Sequence, residues 1–177
     1  MLSPLLIRYV LTAALRDKLV LSFALILVVA TSLSLFLSSA AVVEQGQFAL
    51  VFAGGALRIV VSLALVLFVV FHIRRSFETK DVDFLLSRPI SRFSYILSHA
   101  VAFSFLAVLF SALAGGVLLM IVGGTITEGQ ILWLISVIAE SLIMVNLALF
   151  FAMVVSSAVG GVLACFGFYI LGRMMGQ

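Results

Sequence analysis

Three polar residues lie inside otherwise apolar stretches of the chain. Arg58 falls within an apolar run, and Glu140 and Asn146 share a later one. An arginine or acidic residue at the centre of a membrane helix costs about 2.5 to 3.5 kcal/mol on insertion scales, so such residues pair with each other or line a path for substrate or ions. Arg58 and Glu140 are therefore the candidates for intramembrane chemistry.

These two charged residues are predicted to lie at the same depth. Arg58 stands sixteen residues before Arg74, and Glu140 stands sixteen before Ser156. At about 1.5 Å per residue, each is roughly 24 Å from the same end of its helix. We expect them to pair within one subunit or across a dimer. A substrate path, a structural pair and simple snorkelling to the outer surface are the alternatives for their role.

The second candidate site is the polar segment 74–94. Pro89 disfavours the helical conformation at Arg88, so a short helix should end near position 86 or 87. Ser91 can cap the helix that follows. The product is a compact helical loop on which a soluble partner could act; the alternative is a solvated loop that only enforces topology. Its charged residues and proline are Glu78, Asp81, Asp83, Arg88, Pro89 and Arg92.

The sequence contains no motif for catalysis. Nucleotide-binding, serine-hydrolase and zinc-protease signatures are absent, and Cys165 is the only cysteine. His72 and His99 lie near one boundary of neighbouring apolar runs, where packing is the simpler interpretation and a proton or metal site the alternative. We expect no cofactor, no metal and no enzymatic activity of the chain by itself.

The amino-acid composition indicates whether the segments that carry these residues lie in water or in lipid. Of 177 residues, 65% are hydrophobic and 10% charged, and the mean hydropathy is +1.40. Soluble domains are about half apolar and a quarter charged. A soluble enzyme, a disulfide scaffold and a disordered chain are thereby excluded in favour of one integral membrane domain. The net charge is only +3, and most of the basic residues flank apolar runs, so no nucleic-acid partner is expected.

The predicted fold is all-α, a polytopic membrane helix bundle. Segment 2–18 shows apolar residues at helical spacing, which is typical of an interfacial helix; a cytoplasmic extension of the first span is the alternative. Small residues four apart, at 111/115, 112/116 and 160/164, predict close helix approach. The five predicted spans are about 19–43, 53–73, 95–122, 131–155 and 156–172.

Basic residues predict the orientation. Lysines and arginines cluster before the first span and between the second and third, whereas the opposite loops contain Glu44 and Glu128 and no basic residue. By the positive-inside rule, the amino terminus and segment 74–94 are expected on the cytoplasmic side. The predicted location is a prokaryotic cell (inner) membrane.

Residues 85–92, Leu-Leu-Ser-Arg-Pro-Ile-Ser-Arg, resemble the loop motif of type-2 ATP-binding-cassette exporter permeases. The order of spans, the amino-terminal helix and the run 168–173 are similar to that family as well. The resemblance implies a cassette ATPase partner, a second permease subunit in a homo- or heterodimer, and contact with the ATPase through Glu78, Asp81, Asp83, Arg88 and Arg92. The family has six spans, so a sixth is expected to be missing from this chain.

Three functions follow as expectations. The first is the permease subunit of an ATP-driven exporter, surrounded by membrane lipid and coupled through segment 74–94. The second is a non-transporting scaffold or assembly protein whose loop docks a cytoplasmic partner. The third is a small secondary transporter that uses Arg58 and Glu140.

Overall fold

The computed structural model of the chain describes residues 4–16, 19–39, 45–78, 92–122 and 127–175. Within these ranges the backbone is helical except at 127 and 155–157 and contains no strand, which confirms the all-α class. The helices are α1 (Pro4–Arg16), α2 (Leu19–Ser39), α3 (Gln45–Glu78), α4 (Arg92–Val122), α5 (Glu128–Val154) and α6 (Ala158–Met175).

Four of these helices are long and apolar enough to cross a membrane. They cover Leu50–Glu78, Phe93–Ile121, Glu128–Val154 and Ala158–Met175. Helix α2, of 21 residues, also contains an apolar stretch, Leu21–Leu33. The described helices thus form a bundle suited to a lipid environment, and the count of five spans stays a prediction.

Helix α3 lies at the centre of the bundle. It packs against α2, α4, α5 and α6, and its most apolar part is 61% buried, compared with 11% in α6. Leu65, Val66 and Val69 are fully enclosed. Because α3 has 34 residues, it is about 50 Å long and exceeds the roughly 30 Å of bilayer hydrocarbon. Its position makes it the element against which the others are placed.

Segment 4–16 forms a helix of its own, α1, which packs mainly against α4. Val10 and Ala14 are completely buried there. The ring of Tyr9 lies 6.3 Å from that of His72 in α3, centroid to centroid. Helix α1 is therefore anchored to the bundle by one apolar face and an aromatic contact.

Small residues bring α4 close to α5. The hydroxyl of Ser111 donates to that of Ser141 over 3.2 Å, and both residues are buried. A Cβ atom at Gly115 would lie 2.9 Å from Leu134 Cδ1, whereas at Gly116 it would meet nothing within 4 Å. The predicted close approach is confirmed at 111 and 115, while Gly116 faces open space.

The turn between α5 and α6 is tied to the end of α3. The Val155 N–H donates to the Phe151 carbonyl over 2.8 Å and ends α5. The guanidinium of Arg74 donates to the Ser156 carbonyl. Gly161, at the start of α6, faces Val70 so closely that a Cβ would lie 3.3 Å from Val70 Cγ1. These contacts place Arg74 and Ser156 at one end of the bundle.

The two neighbouring glycines of α4 provide a matched test of this packing. Gly115→Leu should destabilise the protein by about 1 to 3 kcal/mol, because the new side chain must displace Leu134. Gly116→Leu should leave stability unchanged or raise it by up to about 1 kcal/mol, since leucine favours helix over glycine. Thermal unfolding in detergent measures both. Equal effects of the two substitutions would contradict the close contact at Gly115.

Candidate functional site

Arg58 of α3 and Glu140 of α5 form an ion pair. Arg58 Nε lies 3.2 Å from Glu140 Oε2, and the two side chains are 18% and 23% exposed. Arg58 also donates through Nη2 to the hydroxyl of Ser136, which precedes Glu140 by one helical turn. The pair lies within a single chain, and α3 and α5 each supply one charge to it.

The pair lies far along the bundle from the contact of Arg74 with Ser156. Because both partners stand sixteen residues from that contact, the separation along the helices is about 24 Å. A core of apolar side chains from α3 and α5 lies between the ion pair and the Arg74–Ser156 contact. It includes Val61, Leu65 and Met144.

A groove of about 450 Å³ opens beside the ion pair, between α3, α5 and α6. One part of its lining is polar and contributed by all three helices; the other part is apolar. The polar members are Arg58, Glu140, Tyr169 and Arg173, and the apolar ones include Ile143, Met144 and Phe168. A second cavity of about 470 Å³ shares Arg58 and Arg173 and is lined by Trp133.

Tyr169 of α6 lies beside the Glu140 carboxylate. Its hydroxyl lies within interaction range of Glu140. In this geometry Tyr169 Oη and Glu140 Oε1 are both buried, and among the described residues neither makes a hydrogen bond. The groove therefore contains a donor and an acceptor that lie near each other without a well-formed hydrogen bond.

The arrangement is suited to binding rather than to covalent chemistry. Two guanidinium groups, one carboxylate and one phenol can hold an anion and hydrogen-bond a polar group. In the described ranges, no three His, Cys, Asp or Glu side chains come together as metal ligands do. Cys165 is buried in the apolar core.

The other polar candidates lie away from this groove. The amide of Asn146 donates to the Leu142 carbonyl over 2.7 Å within its own helix. His72 and His99 have ring centroids 6.5 Å apart, and His99 Nδ1 is 2.9 Å from the Tyr95 carbonyl oxygen. Both histidines are buried among aromatic rings, which agrees with a packing role.

Of segment 74–94, the structure describes only 74–78 and 92–94. Glu78 is the last residue of α3 and is exposed, and Arg92 is the first residue of α4. Asp81, Asp83, Arg88 and Pro89 lie outside the described residues, so their role stays a prediction.

Sequence reasoning missed Tyr169, Arg173 and Ser136, although a signal was present. Arg173 stands sixteen residues after Ser157, which is the same interval that selected Arg58 and Glu140. Tyr169 precedes Arg173 by one turn, and Ser136 precedes Glu140 by one turn. The depth argument, extended to the last apolar run, would have found this part of the site.

Comparison with known proteins adds no relative. No family model matches the chain, and no curated protein or solved structure matches it either.

A double-mutant cycle tests the ion pair. Arg58→Met should destabilise the protein by about 1 to 3 kcal/mol, less than the 3 to 5 kcal/mol of a fully buried pair, because both side chains are partly exposed. The double variant Arg58→Met/Glu140→Met should recover most of that loss, since it leaves no lone charge. Unfolding in detergent provides the four free energies.

Glu128→Met is the control for removing a carboxylate from α5, because Glu128 is exposed in the first turn. It should cost less than about 1 kcal/mol. Strictly additive losses in the Arg58/Glu140 cycle would show that the pair contributes no coupling.

Proposed function

We propose that this chain is the membrane-spanning subunit of an ATP-driven exporter whose ATPase is a separate protein. The segment 74–94 would be the contact between the two. Support comes from the motif at 85–92, from the apolar helical bundle and from the surface at the ends of α3 and α4.

That surface is the observation on which the proposal depends. Phe77 at the end of α3 is 41% exposed, and Phe93 at the start of α4 is 71% exposed. In the sequence, Glu78 follows Phe77 directly and Arg92 directly precedes Phe93. Exposed aromatic side chains beside charges are typical of protein interfaces, where aromatic residues and arginine are enriched. Both helix ends flank the segment predicted to dock.

The bundle provides a route from this surface to the groove. Helix α3 is one continuous helix from the docking end to Arg58, and it packs against most of the other helices. A displacement of its end would be transmitted along α3 to Arg58 and, through the ion pair, to α5. In this proposal, closure of the ATPase is transmitted through α3 to a pair of membrane subunits, which alternate between inward and outward arrangements.

The proposal includes the membrane arrangement predicted from the charges. Five spans, a cytoplasmic amino terminus and a prokaryotic cell membrane belong to it, as does a second permease subunit, identical or different. The basic residues before α2 and around segment 74–94 support this orientation.

The direct test is co-purification of an ATPase with the full chain from detergent. A protein with cassette-ATPase sequence and vanadate-sensitive activity should accompany the intact chain. Arg88→Glu/Arg92→Glu should reduce its recovery at least about tenfold, because reversing two charges at an interface costs more than 1.4 kcal/mol. Arg8→Glu/Arg16→Glu, with the same charge change outside the loop, should leave recovery unchanged.

The absence of any cassette ATPase beside a folded, intact chain would contradict the exporter proposal. In that case the scaffold function, which needs only a docked cytoplasmic protein, becomes the better explanation.

Single cysteines test the position of the docking surface. Cys165 is buried, so Phe93→Cys and Met175→Cys, both at exposed positions, provide distinct reactive thiols. In sealed inverted vesicles, an impermeant maleimide should label Phe93→Cys and spare Met175→Cys. The ATPase should protect Phe93→Cys from labelling. The reverse labelling pattern would overturn the orientation.

A second candidate function is favoured by the ion pair and its groove. A small secondary transporter could use Arg58 and Glu140 as a charge-compensated site for an anion. Uptake or export by reconstituted vesicles that depends on an ion gradient, and not on ATP, would support it over the exporter.

A further inference from the structure

The groove beside the ion pair has the composition of a site for an amphiphile. Its polar residues adjoin apolar ones on the same surface, and among the latter Ile143 and Phe168 are strongly exposed. Helix α6 forms one wall and is the least buried of the four long helices. The groove is thus open to the side of the bundle, where acyl chains would surround it in a membrane.

The charged residues of the groove determine which kind of amphiphile headgroup it can bind. The described lining carries two guanidinium groups, Arg58 and Arg173, and one carboxylate, Glu140. Glu140 compensates Arg58 directly, whereas Arg173 is exposed at the rim of both cavities. An arginine of this kind binds a phosphate through two parallel hydrogen bonds. A ligand with one negative charge would neutralise the site.

Glu140 and Tyr169, which lie near each other without a well-formed hydrogen bond, select a second feature of the ligand. Glu140 Oε1 can only accept and Tyr169 Oη can donate, and both atoms belong to residues that line the groove. A hydroxyl group satisfies both at once, because it donates to the carboxylate oxygen and accepts from the phenol. An ammonium group would satisfy only Glu140, since it has no lone pair.

The depth of the groove in the membrane agrees with binding of a lipid headgroup. The ion pair lies about 24 Å along the helices from Arg74, within a hydrocarbon layer of roughly 30 Å. Arg173 stands sixteen residues from Ser157 and therefore lies at about the same depth as the ion pair, within reach of the boundary where phosphates lie. The apolar wall then continues alongside the acyl chains.

We propose that the groove formed by Arg58, Glu140, Tyr169 and Arg173 binds an anionic phospholipid whose headgroup carries a free hydroxyl. The phosphate lies on Arg173, the headgroup hydroxyl bridges Glu140 and Tyr169, and an acyl chain lies along Ile143 and Phe168. This site requires neither an ATPase nor transport, so it stands apart from the proposed function.

Trp133 supplies the measurement, because it is the single tryptophan of the chain and lines the cavity that shares Arg58 and Arg173. The full chain is placed in phosphatidylcholine vesicles with increasing amounts of a brominated lipid, which quenches nearby tryptophan. Phosphatidylglycerol is the probe with charge and hydroxyl, and phosphatidylmethanol is the matched probe with charge alone.

Brominated phosphatidylglycerol should quench Trp133 with a relative affinity about tenfold above that of phosphatidylmethanol, as expected for hydrogen bonds to a charged group. Tyr169→Phe should reduce that difference. Arg173→Gln should remove the preference of both anionic lipids over phosphatidylcholine. Arg75→Gln, an exposed arginine at the opposite end of α3, should change neither.

Equal quenching by all three lipids would overturn the proposal, as would equal quenching by the two anionic lipids. Displacement of the brominated lipid by soluble glycerol phosphate would also overturn it and would indicate a site for a water-soluble phosphate ester. A loss of preference in Arg75→Gln would show that the arginines act through overall charge rather than through the groove.

Discussion

The ion pair between Arg58 and Glu140 is the constraint around which this bundle is organised. Each charge would be unfavourable alone among apolar side chains, and together they fix both the rotation and the axial position of α3 against α5. The Ser136 hydroxyl adds a second point of attachment on α5. Once this register is set, the groove, its tyrosine and its second arginine follow from the packing of α6.

A second polar contact, Arg74 with the Ser156 carbonyl, lies at the other end of the same helices. Apolar packing between the two contacts is non-directional and would tolerate sliding, but two directional attachments about 24 Å apart would not. The two contacts therefore hold α3 in register with α5 and with the turn that leads into α6. In the proposed exporter, a partner acting on the end of α3 beside segment 79–91 would be mechanically connected to the groove.

The sequence predicted the helical class and the approximate spans because lipid imposes long apolar runs. Helix α3 itself extends over 45–78, beyond the predicted span 53–73, since polar residues can continue a helix outside the apolar layer. Equal sixteen-residue intervals predicted the depth of Arg58 and Glu140. Depth does not specify rotation, however, and so Gly115 and Gly116 were equivalent in the sequence although only one faces a neighbour. The same interval would have given the depth of Arg173 and of Tyr169 one turn before it, but their place in the groove depends on the rotation and packing of α6, which an interval does not specify.

The order of the two charges along the chain has a consequence for biosynthesis. Arg58 precedes Glu140 by 82 residues, so α3 leaves the ribosome well before its partner charge exists. At roughly 5 to 20 residues per second, that interval is about 4 to 16 s. During this time the guanidinium must be solvated by lipid headgroups or water at the membrane surface. The pairing of α3 with α5 can consequently form only after α5 has been synthesised, and until then α3 has no partner charge for Arg58.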